Sequence, residues 1–432
     1  MNYRRGKLIG AVASMCLGLG LVASLAFGEE NVAKVEVPAE AKLSPLATQG
    51  PKPAVITPPS KAEILQSIER GVDYLLESQR KSGAWGSAAS TRYYGITAPI
   101  PGAHQAFRTA VTGLAVQALI ESAEHFEGER QQDVEAAIER GQTWLLESSN
   151  NLRRAEPDAH GQRRGSKFFT LYNVWGHSYA IQAIVKLHER AEGDEPLQAK
   201  LKSIAEYHVD RLRRCSYLNG GWGYYDMVAR TKIPSGSPIS FTTATVLIAL
   251  KDAAQLGIEF PEKLTQKALA SILRQRNPDF SYAYGEYLRM HPRYDINRPA
   301  GSLGRSQACN LAMRMYGDTL VNDEVLETWL NRLVARNGWL SMSRKRHIPG
   351  QSPHYADFGV AGYFFYYGHY YAAKCVEELP AEQQPVFQGH LANIIVPLQE
   401  KDGSWWDFLL YDYHKAAGTS MAVSTLHRCL SN

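Results

Sequence analysis

Residues 68–78 read I-E-R-G-V-D-Y-L-L-E-S, and residues 138–148 read I-E-R-G-Q-T-W-L-L-E-S. Eight of the eleven positions are identical across a 70-residue offset, which marks an internal repeat. Both copies lie on helical patterns. In the first, Ile64, Leu65, Ile68, Val72, Leu75 and Leu76 recur at three-to-four spacing, the period of one helix face. The same amphipathic pattern is expected at about 197–214, 262–276, 322–336 and 382–399, giving six helices in one series.

A second series alternates with the first. Its segments start at Thr109, His177, Thr242, Ser306, Asp357 and Thr419, and they are apolar nearly all round and rich in Ala, Gly, Ser and Thr. A helix with no polar face is buried on every side, and small residues let such helices approach closely. The second series is therefore read as an inner ring and the first as an outer ring. Leu119, Leu250 and Met315 mark equivalent inner positions, 131 and 65 residues apart, two repeats and then one. Strand signals are few. The expected fold is all-α, an (α/α)6 toroid of six helix-pair repeats; an open solenoid is the alternative, and the count of six favours closure.

The turns after the outer helices carry the most specific pattern. Gln79, Gly83 and Trp85 follow the first outer helix. Degenerate versions are Gly220-Gly221-Trp222-Gly223, Asn337-Gly338-Trp339, and Gln399 with Gly403 and Trp405. Glycine permits a left-handed turn at a helix end, and the indole can fold back to seal the outer helix against its neighbour. The second repeat lacks the Trp, and the fourth carries Phe280, Tyr282 and Tyr284 instead. Over residues 61–432 the pattern resembles the glutamine–tryptophan repeats of the squalene/terpene cyclase and protein prenyltransferase superfamily. That resemblance implies the toroid and a ligand in its central cavity. It brings no catalytic residue. Class II cyclases protonate substrate with Asp-x-Asp-Asp ahead of a Thr-Ala pair; here Phe107-Arg108 and Phe241-Thr242 precede Thr109-Ala110 and Thr243-Ala244, and no Asp-x-Asp-Asp occurs. The Asp-x-Cys of zinc prenyltransferases and the Gly-Cys-Gly-Glu-Gln of thioester domains are missing as well.

The chain has 432 residues, 44% of them apolar, and a formal net charge of +4. That balance, with scattered basic residues, argues against a nucleic-acid partner. Arg4, Arg5 and Lys7 precede an apolar stretch from Leu8 to Phe27 that ends Ala26-Phe27-Gly28. Residues 1–28 are read as a signal peptide, with an uncleaved membrane anchor as the alternative, so the expected location is periplasmic or secreted. Residues 29–60 form a Pro/Ala-rich linker expected to be extended or disordered. Cys215, Cys309, Cys375 and Cys429 have no metal or disulfide spacing and are expected as buried free thiols.

Inner-helix N-termini converge on one mouth of a toroid, where free N–H groups favour polar ligands. The candidate ligand-binding residues there are Arg108, His177, Tyr225, Asp226, Arg305, Tyr363 and Tyr367. Candidates for acid–base chemistry are His354, Asp357, Asp412 and His414, since paired His and Asp groups can relay protons. No cofactor and no metal site is expected. The function expected is ligand binding in the cavity, lipid-like or glycan; the rivals are a non-catalytic protein-interaction scaffold and a polysaccharide-active enzyme. An aromatic dry cavity favours a lipid-like ligand, an acid-lined one a glycan, and a filled centre the scaffold.

Overall fold

A computed structural model describes residues 35, 42–88, 101–152, 173–224, 237–291, 293, 295–342, 344–345 and 363–430. All belong to one compact unit, Val32–Asn432. The outer helices are α2 (Lys61–Ser78), α4 (Gly128–Ser148), α6 (Glu195–Cys215), α8 (Glu262–Gln275), α10 (Asp323–Ala335) and α13 (Gln384–Ile395). The inner helices are α3 (Pro101–Ser122), α5 (Asn173–Arg190), α7 (Ser240–Gln255), α9 (Pro299–Met315), α12 (Phe364–Glu377) and α14 (His414–Arg428). Two short helices, α1 (Pro45–Thr48) and α11 (Asn337–Met342), complete the set among the described residues. Three of the outer helices start on side-chain caps. Ser60 and Glu63 make a reciprocal capping box for α2, while Asp194 and Asn322 cap α6 and α10. Inner helices are buried all round: every residue from Ser240 to Leu250 of α7 is withdrawn from solvent.

Each inner helix packs on the next in the order α3, α5, α7, α9, α12, α14, and α14 packs back on α3 and α2. The ring is closed, and the fold is an (α/α)6 toroid. Small residues set the close approaches. A Cβ on Gly368 of α12 would lie 2.6 Å from the Cα of Gly304 on α9.

The repeated I-E-R-G sequence is explained by what docks on it. After α2 the chain turns through Gly83 at φ +88°, and a Cβ there would sit 2.2 Å from the carbonyl oxygen of Arg140. Gln79 Nε2 donates to Gly83 O and to Ala137 O on α4, both at 2.9 Å. Trp85 folds back so that its indole N–H reaches Leu75 O at 2.7 Å, and its ring lies over Gly141. The sixth repeat does the same to the first. Gln399 Nε2 donates to Gly403 O and Ser67 O, both at 2.9 Å. Gly403 abuts Arg70 O, Trp405 covers Gly71, and its indole N–H donates to Ile395 O at 2.9 Å. The two copies of I-E-R-G are thus receptor surfaces for the preceding turn, and the first copy receives the last turn of the chain.

Four expectations are corrected or refined. Asn337-Gly338-Trp339 makes no such turn: it forms α11, and Trp339 is 44% exposed. The helices that turn end on an extended residue, Gln79, Ser216 or Gln399, whereas α10 ends on Arg336 at φ −109°, ψ 15°, and the chain coils on. The fourth repeat does keep the turn, with Phe280 at φ +61° in the glycine position and Tyr282 in the place of Trp. The inner-helix register also shifts. The backbone N–H groups of Trp85, Trp222 and Trp405 donate to Thr112, Thr243 and Thr419 Oγ1 at 3.1, 3.0 and 3.0 Å, so Thr112, not Thr109, is the counterpart of Thr243. The 131-residue offset of Leu119 and Leu250 agrees with this. Finally, parts of the linker are docked, while residues 49–60 have no helix or strand, as expected. Arg332 donates to Leu46 O and Gln49 O at 2.7 Å, Val35 N donates to Tyr316 O at 2.9 Å, and Ala47 is fully buried. The four described cysteines are free, with Cys429 only partly buried. Among the described residues no helix is long and apolar enough to cross a membrane.

Candidate functional site

The first turns of the inner helices enclose a cavity of about 330 Å³ on the ring axis. Five inner helices form its wall. Phe107, Ala110 and Leu114 come from α3, Trp175 and Tyr179 from α5, and Phe241 from α7. Phe364 and Tyr367 come from α12, and His414, Ala417 and Met421 from α14. Register explains the wall: Ala110, Phe241 and Ala417 each stand two residues before the threonine that anchors a turn. Because the helices are tied to their turns at that threonine, the residue two places earlier faces the axis.

The wall is a continuous aromatic surface. Trp175 stacks on Tyr179, with centroids 5.9 Å apart and planes 9° from parallel. It also meets Phe241 at 6.0 Å and the edge of Tyr367 at 6.1 Å, and Phe241 meets Phe364 at 4.9 Å. Beneath the cavity, Tyr371, one turn on from Tyr367, is fully buried, and its hydroxyl donates to Thr245 Oγ1 at 3.3 Å. Tyr367 OH meets the same Thr245 hydroxyl at 2.9 Å, so the floor is internally bonded and offers the cavity its ring faces. One polar strip interrupts the wall. The hydroxyls of Tyr224, Tyr284 and Tyr363 form a chain, the last link 3.3 Å long, and burial raises all three well above the usual phenol range.

Asp407 and His414 are the titratable groups of other kinds on the described wall. Burial raises the Asp407 carboxyl to about 6, a shift that backbone N–H bonds from Tyr366 (3.1 Å) and Phe408 only partly offset. His414 is lowered by burial, against a 2.7 Å bond from its Nδ1 to Tyr411 O that favours the charged ring. With Nδ1 donating to that carbonyl, the neutral ring leaves Nε2 as its acceptor. The two groups supply one carboxyl that can hold its proton up to about pH 6 and one base, on a wall whose other polar atoms are tyrosine hydroxyls.

Of the residues singled out from sequence, Tyr363, Tyr367 and His414 line the cavity. Arg305 does not reach it. Its guanidinium is fully buried and donates to three carbonyls, Tyr282 O at 2.9 Å, Gly301 O at 2.6 Å and Ile296 O, clamping the fourth turn to α9. His177 is buried and points outward, its Nδ1 2.8 Å from Nδ1 of His208 on α6; burial holds His177 well below its usual value and His208 at about 3. Asp412 pairs with Arg80 and accepts from Ser87 Oγ at 2.9 Å in a separate polar groove. Arg108 is half-buried beside Tyr413, which it bonds, and His104. His354, Asp357, Tyr225 and Asp226 lie outside the described residues. Asp407 stands in sequence beside Asp412 and His414 but was passed over in favour of Asp412 as an acid–base candidate, and reading by residue type missed the wall residues Phe107, Trp175, Tyr179 and Phe241. The offset from the turn threonine was the signal that would have found Ala110, Phe241 and Ala417.

No family model and no curated protein matches the chain. Among solved structures, it is similar in outline to the type II terpene cyclase MstE from Scytonema, at 12% identity over 86% of this chain and 99% of that one, TM-score 0.47. It is similarly related to the GH76A alpha-1,6-mannanase of Salegentibacter sp. HEL1_6, at 9% identity over 84% and 98%, TM-score 0.47. A third is a possible GH105 family member from Klebsiella pneumoniae, at 12% identity over 90% and 98%, TM-score 0.46. These are likenesses of overall shape and bring neither a residue nor an activity to this chain.

Proposed function

We propose that this is an exported toroid that holds a ligand with a hydrocarbon body and one polar end in its axial cavity. The observation that carries the reading is the aromatic wall, closed below by bonded tyrosines and bearing a single carboxylate among the described residues. A volume of about 330 Å³ lies within the range of small-molecule sites. Ring faces bury hydrocarbon, at roughly 25 cal/mol per Å² removed from water. The polar end is expected at Asp407 and His414, where a hydroxyl or carbonyl can exchange hydrogen bonds with a carboxyl and an imidazole. A glycan presents hydroxyls on every side and finds few partners on the described wall, and paired-carboxylate glycoside hydrolysis needs a second acid, where the described residues of the wall supply one. Export is supported by the basic and apolar segments of residues 1–28.

The test is native mass spectrometry of the protein from the exported fraction, followed by denaturing extraction. A co-purifying prenyl-type, fatty or sterol-like molecule is expected. Ala417 sits on the wall with room toward the axis, so Ala417→Phe is expected to lower ligand occupancy at least about tenfold while leaving the circular dichroism spectrum unchanged. A glycan in the extract, or full occupancy in Ala417→Phe, would overturn the reading. With no Asp-x-Asp-Asp in the chain, squalene cyclisation by the purified protein is not expected.

A further inference from the structure

We propose that Glu124, His125 and His427 bind a divalent transition-metal cation of the Zn²⁺ type at the seam where the ring closes. Glu124 and His125 follow the C-terminal end of α3, in a 3₁₀ turn at Ala123–His125, and His427 lies in the last turn of α14. These are the first and last inner helices. The three ligand atoms converge: His125 Nε2 is 3.1 Å from His427 Nδ1, and Glu124 Oε1 lies 4.0 Å from the former and 3.8 Å from the latter. A point equidistant from three atoms so spaced is about 2.1 Å from each, the length of Zn–N and Zn–O bonds. Two imidazoles and a carboxylate are ligands that first-row divalent ions accept, with a fourth position open to water.

Arg428 does not bring an uncompensated positive charge to the site, because it is paired with Glu121 and Glu377. The two imidazole nitrogens meet directly at 3.1 Å, and an ion bound between them would take the place of that contact. Glu124 is largely exposed, with its side chain 69% accessible, so it can swing in to complete the site. The site is separate from the cavity. His125 stands eleven residues beyond Leu114 on the wall, about 16 Å along a helix. Failure of either proposal therefore leaves the other standing.

The experiment is titration of the full chain, free of affinity tag and treated with chelator, with Zn²⁺ by calorimetry and with Co²⁺ by visible absorption. One equivalent is expected to bind, with d–d bands of a four- or five-coordinate Co²⁺ and a higher melting temperature with Zn²⁺. Glu124→Gln, at an exposed position, is expected to weaken binding at least about tenfold without changing the apo melting temperature, and His125→Ala to abolish the Co²⁺ bands. Absence of saturable one-to-one binding would overturn the proposal. So would binding by Glu124→Gln and His125→Ala as tight as that of the unmodified chain, which would assign the ion to other histidines.

Discussion

Asp407 shows how one side chain ties the site to stability. Its carboxyl titrates at about 6 in the folded chain, because the cavity withholds water from the charged form. In the unfolded chain an Asp titrates near 3.9. Between those values the folded state holds more protons than the unfolded state, so this group makes stability fall as pH rises from about 4 to about 6. Asp407→Asn keeps an oxygen to accept the Tyr366 N–H and removes the titration. It is expected to stabilise the protein by on the order of 1–2 kcal/mol at pH 7.5, and by nothing at pH 4, in paired urea melts. A pH-independent difference would show that Asp407 is solvated. The buried His177–His208 pair acts in the opposite sense. Both rings are held below their unfolded value by burial, so their contribution to stability is present above about 6.5 and declines as pH falls below it.

At the scale of the element, the unit is the outer helix with its Gly-Trp turn and the threonine that receives it. Gly403 tests that unit. It stands at φ +80°, and an added Cβ would lie 2.2 Å from Arg70 O, a backbone atom that cannot move without displacing α2. Gly128 has φ +62° and nothing within 4 Å of the same position. Gly128→Ala is expected to cost about 1–2 kcal/mol for the left-handed residue alone. Gly403→Ala adds the clash and the loosening of Trp405, and at least about 3 kcal/mol is expected in denaturant melts. Equal costs would mean that the turn is not docked. This scale was the most legible in sequence, because the turn dictates particular residue types: Gln79, Gly83 and Trp85 each have a separate bond or conformation to satisfy. The outer helices were legible for a related reason, since only one face of each is apolar. The inner helices were placed but not oriented. A helix apolar all round, such as α7, carries no mark of which residue faces the axis, so Arg305 and His177 read as site residues when one clamps a turn and the other bonds an outer helix. Asp407 and Asp412 stand five residues apart in one loop; composition does not show which carboxylate turns inward.

For the whole molecule, the question is whether closure makes the ring one cooperative body. Arg428 on α14 forms a two-pronged pair with Glu121 on α3, at 2.8 and 2.9 Å, and reaches Glu377 on α12 at 3.1 Å. Glu121 also meets Lys186 of α5 at 3.2 Å, so one charge cluster joins four successive inner helices across the seam. Burial alone would raise Glu121; Arg428 and Lys186 overturn that and hold it well below the usual carboxylate range. A carboxylate so lowered lends stability above its unfolded value near 4.3 and withdraws it as pH falls further. Arg428→Ala leaves Glu121 buried with Lys186 as its remaining charged partner, and about 3 kcal/mol of destabilisation is expected at neutral pH. Glu121→Met with Arg428→Met removes both charges and is expected to lie within about 1–2 kcal/mol of the parent chain. Hydrogen exchange on Arg428→Ala, in metal-free buffer, reads the architecture directly. In a closed ring the loss propagates both ways, so amides of α2 and α3 should exchange faster along with those of α13 and α14. An open array of repeats would fray only from its end, with α13 and α14 accelerated and α2 and α3 unchanged. Because the first I-E-R-G copy receives Trp405 and Gly403, the closed-ring pattern should be strongest at residues 67–71, where the last turn of the chain is seated.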